Sequence, residues 1–360
     1  MNYESRSWKS RLVMRLTDLL FPRRGANSAV VPVLSGDVVI SSLSGLGDLI
    51  IQLPLIDALY RHYTACGCRV KVALRPNHLD LGAIMGWDCM VFESPVTSLF
   101  KKGKIAAVSG LFKLIFSPER RRVDWWIDLS GNAVNNCLIR GLYTRKLIAS
   151  GLRGGGGFAA VELPEDAGCN VYERMRKFGK FFGVELDESV LSRKITAEPN
   201  GRILLVLSTP CRWRNWPLGN YLELIKSLPD REFIVSGFRH ELDDVETLNA
   251  ILACPNVESV LDNADLRVLL NIVCGSIAVI TPDTSVAHIA NRFDCSGIVM
   301  FGPENARIWH KKDGKLRLLE SRDCPHFPCD QWHCRNRENW CMAKITPAMV
   351  LEELNKIGKG

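Results

Sequence analysis

The sequence lacks any apolar run approaching the ~20 residues that span a bilayer as a helix. It lacks a leader with an apolar core followed by a small-residue cleavage site, so a cytoplasmic protein is expected. There is no C-x-x-C pair, the spacing that most strongly signals structural zinc. There is no complete G-x-G-x-x-G either. In Gly45-Leu46-Gly47-Asp48-Leu49-Ile50, Ile50 occupies the third glycine's place, and the next apolar strand, Val70 to Leu74, runs into Arg75-Pro76 instead of an acidic residue. A nicotinamide dehydrogenase would need both features. Charge of one sign is only mildly in excess: 46 basic against 39 acidic residues leave +7. That suits an anionic substrate or a membrane surface and is too little to indicate nucleic acid.

What is present points to a two-domain α/β chain. The length of 360 residues and a hydrophobic content of 47% provide for two cores. Thirteen cysteines are scattered, with Cys89, Cys137 and Cys274 in apolar stretches, which reads as reduced thiols. Residues 1–35 stand apart as a basic amphipathic segment. Trp8, Leu12, Leu16, Leu19 and Leu20 recur at helical spacing among Arg6, Lys9, Arg11, Arg15, Arg23 and Arg24. Such a helix lies on an anionic leaflet or packs on its own protein, and the pattern leaves both open.

Residues 36–190 show a strand–helix rhythm. Asp37 to Ser41 reads as a strand, Ser42 to Asp48 as a glycine turn, and a helix follows. Met90-Val91-Phe92, Trp125 to Leu129 and Lys146 to Ala149 read as further strands, and Leu99 to Phe116 as a basic helix. Gly154 to Gly157 read as a mobile loop, and the polar stretch Glu185 to Asn200 as a linker. The rhythm resumes over 196–345 with strands at Arg202 to Leu207, Glu232 to Gly237 and Val257 to Leu261. Residues 346–360 form an amphipathic C-terminal helix that begins at Pro347.

The most informative stretch is Ile280-Thr281-Pro282-Asp283-Thr284-Ser285-Val286-Ala287-His288. It follows a buried apolar run, and Pro282 blocks further strand pairing. Asp283, Thr284 and Ser285 are each good N-caps. Gly297 to Phe301 then reads as a second buried strand. The turn therefore offers backbone N–H groups and a helix dipole at the carboxyl end of a parallel sheet, a place for an anion. Thr284 and His288 share a helix face.

This P-D-T-S-V-A-H-I-A string, with Phe301-Gly302-Pro303 after it, resembles the donor-site signature of glycosyltransferase family 9, the bacterial lipopolysaccharide heptosyltransferases. Ser285 stands where that family usually has Gly. The Gly47-Asp48 turn with Pro54 in the following helix is similar to the family's opening motif, and Asp128-Leu129-Ser130-Gly131 to its D-L-x-G segment. Arg214-Asn215-Trp216-Pro217 is similar to a Lys-x-Trp-Pro, with Arg214 in place of Lys.

The resemblance implies a GT-B α/β fold, two doubly wound Rossmann-like domains facing across a cleft, with 36–190 binding the acceptor and 196–345 the donor. It implies inverting, metal-independent transfer of a heptose from ADP-heptose to a lipopolysaccharide core acceptor, with no cofactor. Asp48 would be the catalytic base; as a plain helix cap it would serve structure alone. Thr209, Arg214, Glu241, Asp283, Thr284, Ser285, Val286 and His288 would bind the donor, Glu241 through the ribose. Gly47, Arg75, Arg140 and Arg145 would face an acidic acceptor, the plainer reading of each arginine being a solvated side chain. The C-terminal helix in such folds often crosses back to the first domain. A lipid-linked acceptor would bring the protein to the inner membrane's surface.

Cys324, Cys329, Cys334 and Cys341 in the tail, with His326 and His333 between, fit zinc, a disulfide pair or free thiols, and the spacing favours no metal. A zinc-dependent nucleic-acid binder and a non-catalytic nucleotide-sugar sensor are the rival classes.

Overall fold

The computed structural model describes residues 31–92, 122–150, 159–164, 168–327, 329, 334–337 and 340–357. The expected N-terminal amphipathic helix, the basic helix over 99–116, the glycine run at 154–157 and His333 lie outside the described residues. The chain divides into two compact units. The first is Met1–Cys169 with Glu173–Asp187, and the second is Asn170–Tyr172 with Glu188–Gly360. No described helix is long and apolar enough to cross a membrane.

The first unit holds β1 (Asp37–Ser41), β2 (Arg69–Leu74), β3 (Cys89–Val91), β4 (Val123–Asp128), β5 (Thr144–Ser150) and β6 (Val161–Leu163). All pair in parallel in the order β3-β2-β1-β4-β5-β6. Val38, Val39 and Ile40 are buried in a continuous run, as expected of a strand covered on both faces. The helix Leu46–Ala65 carries the crossover from β1 to β2.

The second unit repeats the plan with β7 (Ile203–Val206), β8 (Phe233–Ser236), β9 (Val257–Ser259), β10 (Ala278–Pro282), β11 (Gly297–Phe301) and β12 (Leu316–Glu320). Its order is β9-β8-β7-β10-β11-β12, again parallel. Each sheet therefore reverses its winding once, between β1 and β4 and between β7 and β10. Such a switch point opens a crevice at the carboxyl ends of the strands. Trp216 anchors the second core: its ring meets Tyr221 edge-on at 4.7 Å and its Nε1 donates to the Ile345 carbonyl at 2.6 Å.

The structure refines two expectations and adds two strands that carried none. The stretch read as a polar linker buries Val190, Leu191 and Ile195, so part of it is core. The C-terminal helix Pro347–Ile357 packs on the second unit's own core through Val350, with Leu351, Leu354 and Ile357 beside it. Strands β6 and β12 carried no expectation. The former is three residues long, and the latter is interrupted by Arg317.

Candidate functional site

In the second unit the candidate residues gather at the β7/β10 switch point. Asp283 directly follows β10, and its amide donates to the Met300 carbonyl at 3.0 Å, which ties it to β11. Thr284 is the N-cap of the helix Ser285–Arg292. Its backbone is extended, at φ −142° and ψ 178°, and its hydroxyl accepts from the Val286 amide at 3.1 Å. The Thr281 and Thr284 hydroxyls lie 3.2 Å apart. The turn is held by side-chain oxygens, as its sequence requires, and the Val286 N–H serves the cap in this state.

Across the switch point, β7 leads into Ser208, Thr209 and the short turn Arg212–Arg214. Arg214 Nη1 donates to the Asp283 carbonyl at 2.9 Å and to Asp283 Oδ2 at 3.2 Å. Both side chains are mostly buried, 21% and 7% exposed, so the pair is held in a low-dielectric setting. Thr209 is fixed twice: its amide donates to Asn215 Oδ1 at 2.7 Å, and its hydroxyl to the Cys211 carbonyl at 2.8 Å. Asn215 Nδ2 also donates to the Glu241 carbonyl at 3.1 Å, and Ser208 Oγ donates to Glu241 Oε2 at 2.7 Å. Thus Thr209, Arg214, Glu241, Asp283 and Thr284 line the carboxyl edge of β7, β8 and β10, with Ser285 and Val286 opening the helix. His288 lies one turn deeper, buried, and its Nδ1 is 2.8 Å from the Tyr172 hydroxyl. Burial, with Arg292, Arg214 and His310 nearby, lowers its pKa to about 3. It is a neutral imidazole.

The first unit's switch point carries Asp48 and Asp128. Gly45, not Asp48, is the N-cap of Leu46–Ala65; the half-buried Asp48 sits in its first turn, next to Gly47. Arg75, at the end of β2, donates from Nε to the Leu43 carbonyl at 2.8 Å. Burial lowers the Arg75 guanidinium, and the nearby Asp48 carboxylate acts the other way. Asp128 is fully buried and accepts from Ser41 Oγ at 2.8 Å, Ser130 Oγ at 2.7 Å and the Gly131 amide at 2.9 Å. It braces the end of β4 against β1. Arg140 and Arg145 are placed elsewhere. Arg145 is at the amino end of β5, 4.0 Å from Asp124 at the amino end of β4, and Arg140 lies in the turn leading into β5. In a parallel sheet that is the opposite edge from Asp48, so neither joins it.

Sequence reasoning quoted Asp128 and Asn215 within motifs without giving either a role, and it missed Tyr172 and Glu304. Glu304 follows the Phe301-Gly302-Pro303 string. Burial pushes its carboxyl up while the Arg214 guanidinium pulls it down, which puts it beside the arginine. Its place right after that string was the available signal. Tyr172 had none, being 116 residues from its partner.

The tail thiols Cys324, Cys329, Cys334 and Cys341 line one cavity with Trp213, Gly302, Pro303 and Trp340. Burial pushes the Cys341 thiol up to about 11. Among the described residues no three His, Cys, Asp or Glu side chains converge as metal ligands.

Residues 180–339 match the family described as glycosyltransferase family 9 (heptosyltransferase). The fold is similar to that of E. coli heptosyltransferase WaaC solved with ADP-2-deoxy-2-fluoro heptose. The TM-score is 0.65 at 14% identity, over 89% of this chain and 99% of that one. It is also similar to a glycosyltransferase family 9 protein from Veillonella parvula, with a TM-score of 0.63 at 13% identity over 92% and 99% of the two chains. E. coli ADP-heptose LPS heptosyltransferase II gives 0.56 at 15% identity, over 89% and 98%. At these identities the likeness shows the fold. No curated protein matches the chain.

Proposed function

We infer, for a chain that resembles glycosyltransferase family 9 in sequence over residues 180–339 and in fold over both units, that it transfers a heptose from ADP-heptose to a lipopolysaccharide core acceptor with inversion. The observation that carries this is the β7/β10 switch point, where a capped helix start, a fixed arginine and a carboxylate meet at one sheet edge.

The diphosphate of the donor would lie on the Asp283-Thr284-Ser285 turn, where helix-end amides and dipole favour an anion. Arg214 would neutralise the charge that develops on the departing ADP. Its planar fork is already oriented by Asp283, so it needs little reorganisation as the bond breaks. Glu241, held by Ser208, would accept from the ribose hydroxyls.

In the first unit Asp48 would take the acceptor hydroxyl's proton. The oxygen then attacks the anomeric carbon, and the bond from that carbon to the ADP oxygen breaks. ADP leaves with the electron pair, and the oxocarbenium-like charge is offset by the carboxylate. Gly47 lets a substrate approach the Asp48 turn closely, and Arg75 would face an acidic acceptor. The basic segment of residues 1–25 would dock on the inner leaflet, where a lipid-linked acceptor is made.

The test is incubation with a panel of nucleotide sugars and core acceptors, read by mass spectrometry. Heptosylated core from ADP-heptose alone supports the reading. Transfer only from another nucleotide sugar, or ADP binding without any product, contradicts it.

A further inference from the structure

His288 and Tyr172 form a buried pair whose proton direction can be worked out. The two atoms, Tyr172 Oη and His288 Nδ1, are 2.8 Å apart, so one donates to the other. Asn291 Nδ2 donates to the same phenol oxygen at 3.4 Å, and the Arg292 guanidinium stands 5.5 Å over the Tyr172 ring. That guanidinium is itself paired with Glu188; the phenol oxygen already accepts from Asn291, so its own proton is directed to Nδ1. Burial holds the phenol above its ordinary range, so that proton is present. The imidazole is neutral for the reasons given above. A neutral imidazole that accepts at Nδ1 carries its single proton on Nε2.

Tyr172 cannot easily drift from this post. Its amide donates to Asn170 Oδ1 at 3.0 Å, and Asn170 Nδ2 donates to the carbonyls of Arg307 at 3.1 Å and His310 at 2.8 Å. Residues 170–172 accordingly group with the second unit. Helical side chains lean toward the helix N-terminus, which directs His288 at the Thr284 turn. The influence of Arg214 on its protonation agrees with that placement.

We propose that Tyr172 is a positioning residue that locks His288 as its Nε2–H tautomer, giving the Asp283-Thr284 turn a neutral hydrogen-bond donor for the phosphate of a nucleotide. This deepens, and rests on, the donor-site reading of that turn. A neutral donor suits a turn that already has Arg214 against it, Arg292 being paired with Glu188 at the other end of the helix. It adds a bond to the anion without a further cation that would need its own counter-charge.

The test uses the full chain labelled with ¹⁵N-histidine. Long-range ¹H–¹⁵N correlation at neutral pH reports the tautomer of each of the seven histidines, and His288→Gln assigns the signal. The wild type should show His288 as a single Nε2–H form, and Tyr172→Phe a mixture of both tautomers. A wild-type His288 protonated at Nδ1 overturns the proposal whether or not the variant folds. So does a Tyr172→Phe protein with the tautomer unchanged. Calorimetry with ADP should show binding about fivefold to tenfold weaker in Tyr172→Phe, the scale of one neutral hydrogen bond. A shifted tautomer with full ADP affinity overturns the binding role. Failure of the wild type itself to bind ADP, with the tautomer as stated, would instead overturn the donor-site reading.

Discussion

Arg214 holds Asp283 through a single nitrogen, at 2.9 Å to the carbonyl and 3.2 Å to the carboxylate. A guanidinium fixed in that way is oriented before any ligand arrives, which is the condition for stabilising charge in a transition state rather than in the ground state. Arg214→Ala should therefore lower kcat by roughly 10²-fold. Arg214→Lys should recover only part of the rate, because a point charge cannot reproduce the planar fork. Steady-state kinetics decide: an unchanged kcat with a raised KM would assign Arg214 to ground-state binding alone. The Thr284 cap was legible in the sequence because capping is local chemistry between neighbours. The Arg214–Asp283 pair was not, since the partners are 69 residues apart and meet only through the adjacency of β7 and β10.

Among the elements, β10 and β11 set the position of that turn. Their register pairs Val279 with Gly297 and Pro282 with Met300. The backbones approach so closely that a Cβ on Gly297 would sit 2.1 Å from the Val279 carbonyl oxygen. Gly297→Ala must push the strands apart, and a shift there is passed along the ladder to Asp283. The cost should be about 1–3 kcal/mol, typical of overpacking in a dense core, read as a lower urea midpoint. An unchanged midpoint would show that the ladder yields freely. The buried strands themselves were legible as unbroken apolar runs. The Pro347–Ile357 helix was legible as an amphipathic element, yet its partner was not, because an apolar stripe does not name the core it covers.

At the scale of the whole molecule, the alternation of strand and helix could be read from the sequence. The β3-β2-β1-β4-β5-β6 order, repeated in the second unit, could not, because periodicity carries no information about which strands are neighbours. Each unit also buries a neutral histidine. Burial lowers His78 to about 4 in the first and His288 to about 3 in the second. Unfolded, both titrate near ~6.5. Between these values the folded chain binds fewer protons than the unfolded one, so their contribution is complete above the unfolded value and is lost as pH falls. Stability should drop by up to ~1.4 kcal/mol per pH unit for each histidine below ~6.5. Urea midpoints measured from about pH 7 to about pH 5 would show it, and a flat profile would mean that neither imidazole is held neutral.

The proposed division of labour between the units is tested most directly by Asp48→Asn, assayed for ADP release from ADP-heptose in the presence of a core acceptor. Gly45 rather than Asp48 is the helix N-cap, and the substitution keeps a side-chain oxygen at position 48. The variant should fold normally and bind ADP as the wild type does, since the turn proposed to hold the nucleotide belongs to the other unit. An amide cannot take up the acceptor proton, so kcat should fall by roughly 10²–10⁴-fold. A folded Asp48→Asn protein that releases ADP at close to the wild-type rate would contradict the assignment of Asp48 as the base.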